Sequence, residues 1–457
     1  MPTKPLPLSN ADAAWLNMER RSNLMMITGL FLFEQPVDFD RLRQTLETRL
    51  LAFDRFRQRA NTETVGRPRW VDDPDIDLDF HVLRAYLREP DEEDCLLELV
   101  GTLMAERLDR DRPLWQFHLV DYRGGSALIA RLHHAIADGI ALMKVLLGLT
   151  DSDPEAPWPS SEDLPAVVEG KKPRKSGLGR AFRRTARWLN KGNLGIRSGE
   201  VFDLAKKHVE VAADLGWMLL RGVEPNTPFK GKLGRKKLAA VSKPLCLERV
   251  KSVRQFFEAT VNDVLLAALT GGLRNYLLAH DHPLDEEASV RVVVPVDLRG
   301  PRQAEELGNQ FGLVFMALPV GLAEPRERLE EVKRRMGEIK SSPQAVFVFG
   351  LLNAVGVIPA ELEKRVIELF GSKASGVVTN VPGPQQPLYL AGQKIDSLMF
   401  WVPKSGRLGL GVSILSYNLQ VRVGVATDAR LIPDPGDLVA GFHHAFEELA
   451  ALAEVKS

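Results

Sequence analysis

A chain of 457 residues, 45% hydrophobic and 26% charged, has the composition of a folded globular protein and exceeds what one hydrophobic core ordinarily organises, so two domains of roughly 200 residues each are expected. Its 60 basic side chains balance 60 acidic ones, which leaves no global field to draw nucleic acid; any electrostatic partner has to be met by a local patch. Cys95 and Cys246 are the two cysteines, too few for a disulfide framework or a thiolate metal site, and they are read as buried or inert in a reducing compartment.

Taken in chain order, the first residues, MPTKPLPLSNADAAW, have no basic head followed by an apolar run, which argues against a secretory signal and for a cytoplasmic protein. Residues 24–33 read as a strand and 39–51 as an amphipathic helix. A helix over 92–108 follows. Strands over 115–121 and 127–132, turning at Gly124 and Gly125, form an antiparallel pair that delivers His133 to a strand end. Beyond Asp138, apolar Ile140, Leu142, Met143, Leu146 and Leu147 have helical spacing, and with them a first domain, 1–150, closes.

A linker over 151–244 is expected next. Prolines and acids cluster over 153–165, and 171–199 holds ten lysines and arginines and no acid. Interleaved Phe182, Trp188 and Leu189 suit this stretch to an anionic bilayer surface; the alternative is a solvated loop. A second basic cluster, Lys230, Lys232, Arg235, Lys236, Lys237 and Lys243, offers a place for the phosphates of a nucleotide-containing cosubstrate. The second domain, 245–457, reads as helices over 250–257 and 261–278, strands over 290–296, 311–319, 376–380 and 398–402, a hairpin over 408–427 turning near Tyr417 and Asn418, and a closing helix over 435–452. A charge-free segment, 345–360, is broken by Gly350, Asn353, Gly356 and Pro359, too short to span a bilayer; it is read as tunnel-lining or as a buried core helix.

No G-x-S-x-G elbow, H-E-x-x-H helix, Walker loop or G-x-G-x-x-G fingerprint is present. What stands out is Leu132-His133-His134-Ala135-Ile136-Ala137-Asp138-Gly139: two imidazoles at a strand end and a carboxylate four residues after the second. An imidazole with an ordinary pKa of about 6.5 can take a proton from an alcohol and return it to a leaving group. The pattern supplies a base without an attached nucleophile, so the nucleophile has to arrive with the substrate; paired histidines that only cap a strand or bind metal are the plainer alternative. Asn262 and Asp263, after Thr260 at a helix start, are caps, or Asn262 organises the site or donates to an oxyanion.

The run from Leu132 to Gly139 resembles the H-H-x-x-x-D-G motif of the coenzyme A-dependent acyltransferase superfamily. Asp111-Arg112-Pro113-Leu114-Trp115, Thr260-Val261-Asn262-Asp263, Leu307-Gly308-Asn309-Gln310-Phe311-Gly312 and VVTNVPGP from Val377 to Pro384 resemble blocks of the bacterial wax ester synthase/diacylglycerol acyltransferase family, from Pro7-Leu8-Ser9 to the last strands. This resemblance implies mixed α/β sheets in two chloramphenicol-acetyltransferase-like domains with the active site at their junction. It further implies long-chain acyl transfer from acyl-CoA to a fatty alcohol or diacylglycerol, with acyl-CoA a substrate and no cofactor or metal. His134 falls on the catalytic base and His133 on its supporting neighbour. Asp138 falls on a structural carboxylate that holds the histidine loop through an arginine, for which Arg57 is the candidate. Gly139 would allow close backbone packing, and Pro113, Leu114 and Trp115 would be scaffold. The expected home is the cytoplasm, peripheral to the inner membrane face or lipid inclusions. Rival readings are a condensation-type enzyme using carrier-bound thioesters and a noncatalytic lipid-surface protein.

Overall fold

The structure, a computed structural model, describes residues 6–62, 68–158, 227–297, 311–340, 371–404 and 406–454. The basic stretch 171–199, the segment 345–360 and residues 307–310 lie outside them.

In chain order the first half contains β1 (Leu6–Pro7), α1 (Asn10–Met18), β2 (Met26–Phe33), α2 (Phe39–Thr45), β3 (Gln58–Asn61), β4 (Arg69–Asp72), α3 (Leu78–His81), β5 (Val82–Ala85), α4 (Glu93–Ala105), β6 (Trp115–Tyr122), β7 (Gly125–His133) and α5 (Gly139–Leu149). The second contains β8 (Lys237–Val241), β9 (Leu245–Cys246), α6 (Leu247–Phe256), α7 (Val261–Ala279), β10 (Val290–Asp297), β11 (Phe311–Leu318), α8 (Pro325–Lys340), β12 (Gly376–Pro382), β13 (Tyr389–Leu390), β14 (Gln393–Lys394), β15 (Ser397–Trp401), β16 (Leu410–Tyr417), β17 (Gln420–Asp428) and α9 (Pro435–Glu454). The helix expected over 39–51 passes from α2 into a π-helical turn at Leu46–Leu50. Strand β8 falls in the segment read as linker. Both hairpins that position the site turn through two residues at positive φ, Arg123 (51°) and Gly124 (73°) in one, Asn418 (47°) and Leu419 (61°) in the other, a twist that matches that of paired strands.

A five-stranded sheet has the order β15-β2-β7-β6-β5, and a seven-stranded sheet runs β11-β10-β12-β16-β17-β8 with β9 also on β17. The halves interlock because β15, from the C-terminal half, pairs antiparallel with β2, placing Trp401 opposite Thr28 and Ser397 opposite Leu32. Strand β7 is buried along its whole length, which is why SALIARLH is nearly continuous in apolar residues rather than cleanly alternating. Two glycines set the closeness of the junction. A Cβ on Gly101 of α4 would lie 2.5 Å from the Lys237 carbonyl oxygen, and one on Gly424 would lie 2.9 Å from Trp401 Nε1. Across the same junction Lys237 is not free for phosphate, as its place in the basic cluster suggested: it is buried, pairs with Asp428 at 2.6 Å and donates to the Ser22 carbonyl at 2.7 Å. Cys95 is buried as expected, whereas Cys246 is exposed, because β9 is a two-residue edge strand with one face in solvent.

Beside this pair lies Lys404, 5% exposed, whose ammonium donates to the Ala426 carbonyl at 3.1 Å. Burial, and then the Lys237 charge, push its pKa down to about 7 against the pull of Asp428. An unfolded lysine titrates near 10.4, so from about pH 7 to about pH 10 the unfolded chain binds more protons, and the stability governed by this group rises with pH through that window. In Lys404→Met that gradient should vanish. The melting temperature of the variant relative to the parent is therefore expected to be highest near pH 7 and to fall by a few degrees by pH 10; a constant difference across the range would contradict a buried, easily deprotonated lysine.

Candidate active site

The double histidine sits where β7 ends. Pairing with β2 sets Met26 opposite His133, and the strand is extended on both sides by backbone bonds: His133 N–H donates to the Leu114 carbonyl at 3.0 Å and His134 N–H to the Met25 carbonyl at 2.7 Å. This gives the Pro113-Leu114-Trp115 block its role. All three residues are buried; Trp115 opposes Leu132 across the sheet and donates through Nε1 to the Phe56 carbonyl at 2.8 Å. The block is scaffold under the histidine strand.

Beyond the histidines the chain turns, with Ile136 N–H donating to the His133 carbonyl, and enters α5 through Asp138. This residue is the N-cap: its carboxylate accepts from Ala141 N–H at 3.0 Å and it is 4% exposed. A short acceptor here satisfies an amide the helix leaves open and places negative charge at the helix's positive end. The expected Arg57 partner is not there. Arg57 instead turns back on its own loop, donating to the Leu51 carbonyl and pairing with Asp54 at 2.5 Å, a local contact three residues away that outcompetes a distant one. Close packing does not explain Gly139 either, since a Cβ on it would meet nothing within 4 Å. Its missing side chain leaves open the edge of a cavity that it helps to line.

Helix α1, which sequence periodicity did not reveal, supplies the partners of both imidazoles. Ser9 caps it by accepting from Asp12 N–H at 3.0 Å. Trp15 then stacks on His134, ring centroids 4.0 Å apart and planes 23° from parallel. One turn later Glu19, the C-cap, brings Oε2 to 3.3 Å from His133 Nε2. Residues four apart share a helix face, so one helix sets the register of both rings. A short helix signal was available in Ser9 before Asn10-Ala11-Asp12-Ala13-Ala14, and the i, i+4 relation of Trp15 to Glu19 within it.

The electrostatics separate the two histidines. Burial would raise the Glu19 pKa, but the His133 hydrogen bond and the charges of His133, Arg110 and Arg107 overcome it and hold the carboxylate at about 2; Arg110 and Arg107 approach it to 3.2 and 3.5 Å. Burial drives the His133 pKa down more strongly than Glu19 raises it. His133 Nδ1 accepts from Ala135 N–H at 3.0 Å, so the ring proton sits on Nε2, facing the carboxylate. His133 is 2% exposed and lies between Ala135 N–H and the Glu19 carboxylate, whereas His134 is 7% exposed and faces Trp15.

The other face of β7 builds an apolar cavity of about 680 Å³ of atom-free space, part of it open to solvent. Its wall includes Leu132 just before the histidines and Gly139 just after Asp138, then Leu142, Met143 and Leu146 of α5. Asn262 stands apart from this wall, in the first turn of α7, where Thr260 and Asp263 form a reciprocal capping box; capping thus belongs to Asp263, and the Asn262 amide is left for another use. Among the described residues no group of three or more His, Cys, Asp or Glu could hold a metal ion, and no single helix is long and apolar enough to cross a membrane.

The chain matches the family model described as the wax ester synthase/diacylglycerol acyltransferase catalytic domain over residues 8–265 and that of the corresponding C-terminal domain over 307–450. A probable diacylglycerol O-acyltransferase of Mycobacterium tuberculosis is 32% identical over 459 residues, covering 98% of this chain and 96% of that protein. Among solved structures, a wax ester synthase/diacylglycerol acyltransferase from Marinobacter aquaeolei superposes with a TM-score of 0.70 at 25% identity, covering 98% of this chain and all of that one (100%). The first condensation domain of the calcium-dependent antibiotic synthetase shares the fold, with a TM-score of 0.60 at 18% identity and coverage of 99% and 96%.

The contact between Glu19 and His133 can be tested in two ways. Glu19→Gln keeps an acceptor for Nε2–H and removes the charge; kcat is expected to fall on the order of 10-fold, about 1.4 kcal/mol. A carboxylate held at about 2 contributes stability above its unfolded pKa and loses it as pH falls toward 2. The variant should therefore unfold less steeply between about pH 4.5 and 2, and a parent-like kcat together with a parent-like acid profile would remove Glu19 from the site.

Proposed function

Since the chain belongs to the wax ester synthase/diacylglycerol acyltransferase family and is an acyltransferase, we propose that it moves a long-chain acyl group from acyl-CoA to a fatty alcohol, and to diacylglycerol, with His134 as general base and no covalent acyl-enzyme. The observation that carries this reading is that His133 is held with Nδ1 accepting from Ala135 N–H and Nε2 3.3 Å from the Glu19 carboxylate, while the neighbouring His134 ring stacks on Trp15 at the strand end. The apolar cavity lined in part by Leu132 and Gly139, on either side of the histidine turn, suits an aliphatic chain.

The alcohol hydroxyl gives its proton to the His134 imidazole while its oxygen bonds to the thioester carbonyl carbon. The carbonyl oxygen becomes a tetrahedral oxyanion, for which Asn262 is the proposed donor. Collapse re-forms the carbonyl and breaks the carbon–sulfur bond; the coenzyme A thiolate takes the proton from the imidazolium, and His134 returns neutral. The nucleophile arrives with the substrate, so no side chain has to be acylated.

Both substrates partition into lipid. We therefore place the protein in the cytoplasm, at the inner membrane face or on lipid inclusions, supported by the acid-free basic composition of 171–199. Liposome flotation of chains with and without 171–199 checks this: equal flotation would remove that segment from the interaction.

The activity itself is tested by release of free thiol from palmitoyl-CoA, with and without hexadecanol. Alcohol-dependent release is expected, falling at least about 1,000-fold in a folded His134→Ala variant, within the range that loss of a catalytic base produces. A folded, active variant would exclude His134 as base. No release with any long-chain alcohol or diacylglycerol, but turnover of a carrier-bound thioester, would move the protein to the condensation-type reading.

A further inference from the structure

One block singled out in the sequence, Val377 to Pro384, has no part in the histidine turn, yet one of its side chains bonds Asn262. Asn380 lies on β12, and its Nδ2 donates to Asn262 Oδ1 at 2.8 Å, between residues 118 apart in the chain. Both asparagines are half-buried while their neighbours Thr379, Val381, Asp263 and Val264 are buried, so the pair sits at an open edge of the packing.

We propose that Asn380 is a positioning residue that turns the Asn262 amide so that its NH2 group faces the developing oxyanion; this rests on the reading of Asn262 as the donor to that charge. The capping box fixes the first turn of α7: Thr260 Oγ1 accepts from Asp263 N–H at 3.1 Å and Asp263 Oδ2 accepts from Thr260 N–H at 2.9 Å. With the backbone held, the freedom left to the Asn262 amide is the broad, roughly two-fold rotation of its terminal torsion, which exchanges O for NH2. A donor at 380 decides that exchange. With Oδ1 engaged, the two N–H bonds of Nδ2 point away from β12, and the positive end of the α7 dipole lies behind them. A carboxylate at 380 decides it the other way, drawing the NH2 group to itself and turning the Asn262 oxygen toward the substrate.

The test is the order of two substitutions. Asn380→Ala leaves the Asn262 amide free to rotate and should lower kcat about 10-fold; Asn380→Asp, nearly the same shape, should lower it about 100-fold, the scale of losing one oxyanion donor. KM for acyl-CoA should stay within about twofold, with melting temperatures near the parent's. In an Asn262→Ala background neither change should lower kcat further, because there is no amide left to orient. The reverse order, with Asp tolerated better than Ala, is what a packing role gives and would overturn the proposal, as would equal losses with and without Asn262. Full kcat in Asn262→Ala alone would instead remove the premise that Asn262 serves the oxyanion.

Discussion

A carboxylate and an imidazole buried against each other, Glu19 and His133, are the contact on which the site depends. Burying either group alone is costly. Here His133, with Arg110 and Arg107, holds the Glu19 carboxyl well below its ordinary range against its burial, while burial draws the His133 pKa below its ordinary value. The result is a carboxylate 3.3 Å from an imidazole whose other ring nitrogen accepts from Ala135 N–H. Two adjacent histidines of the same chemistry therefore become different: one locked in a single tautomer, the other held by its face against Trp15. Because Trp15 and Glu19 are one turn apart on α1, no movement of that helix can shift one ring without the other.

That helix is in turn tied to the C-terminal half. Between Glu19 and the Met25 carbonyl that receives His134 N–H, the chain makes a tight turn in which Arg20 and Asn23 bridge, and the Ser22 carbonyl within it accepts from Lys237. Lys237 is anchored by Asp428, whose carboxylate also accepts from the backbone of Gly234 and Arg430. Breaking such a buried pair strands a charge, so the turn that sets the histidines is held by an element that cannot yield gradually. Strand β15 closes the other side, pairing with β2 while it packs on Gly424 of β17. A site built this way requires both halves to be folded and docked.

What could be read in the sequence follows from the range of the interactions. The hairpin of β6 and β7, the long helices α4, α7 and α9 and most strands announce themselves by local periodicity, and the histidine motif is eight consecutive residues. Helix α1 does not, because NADAAWLNM is short, is apolar on most sides so that no polar face sets off its stripe, and follows a proline-rich lead; its stability comes from burial on tertiary contact. The placement of β15 next to β2 is a pairing across more than 360 residues, invisible to any window. The same reason hides the Asn262–Asn380 bond and the Glu19–His133 contact, and it misled the choice of Arg57, where a near carboxylate, Asp54, was the stronger competitor. At Gly139 close backbone packing is not found, since a Cβ there would meet nothing within 4 Å.

The alternation of β7 joins these parts into one device. Successive side chains on a strand point to opposite faces: Ala130 and Leu132 face the apolar cavity, while Arg131 and His133 face Glu106 and Glu19 on the other side. Arg131 is 2% exposed and donates to the Gln116 side chain at 2.8 Å, a cation under the same face as Glu19 and His133. The cavity wall is thus joined to His134 by a turn of defined backbone geometry, from Leu132 through His134 to the capped start of α5. In the proposed reaction, an aliphatic chain lying along Leu132, Gly139 and Leu142 would present its reacting end to His134 whatever its length, because the turn sets the near end and differences in length are taken up at the far one. Selectivity for chain length then resides in the cavity wall and proton transfer in the turn beyond the strand, and a substitution on the Phe31 and Phe400 side of the cavity can alter the first without touching the second.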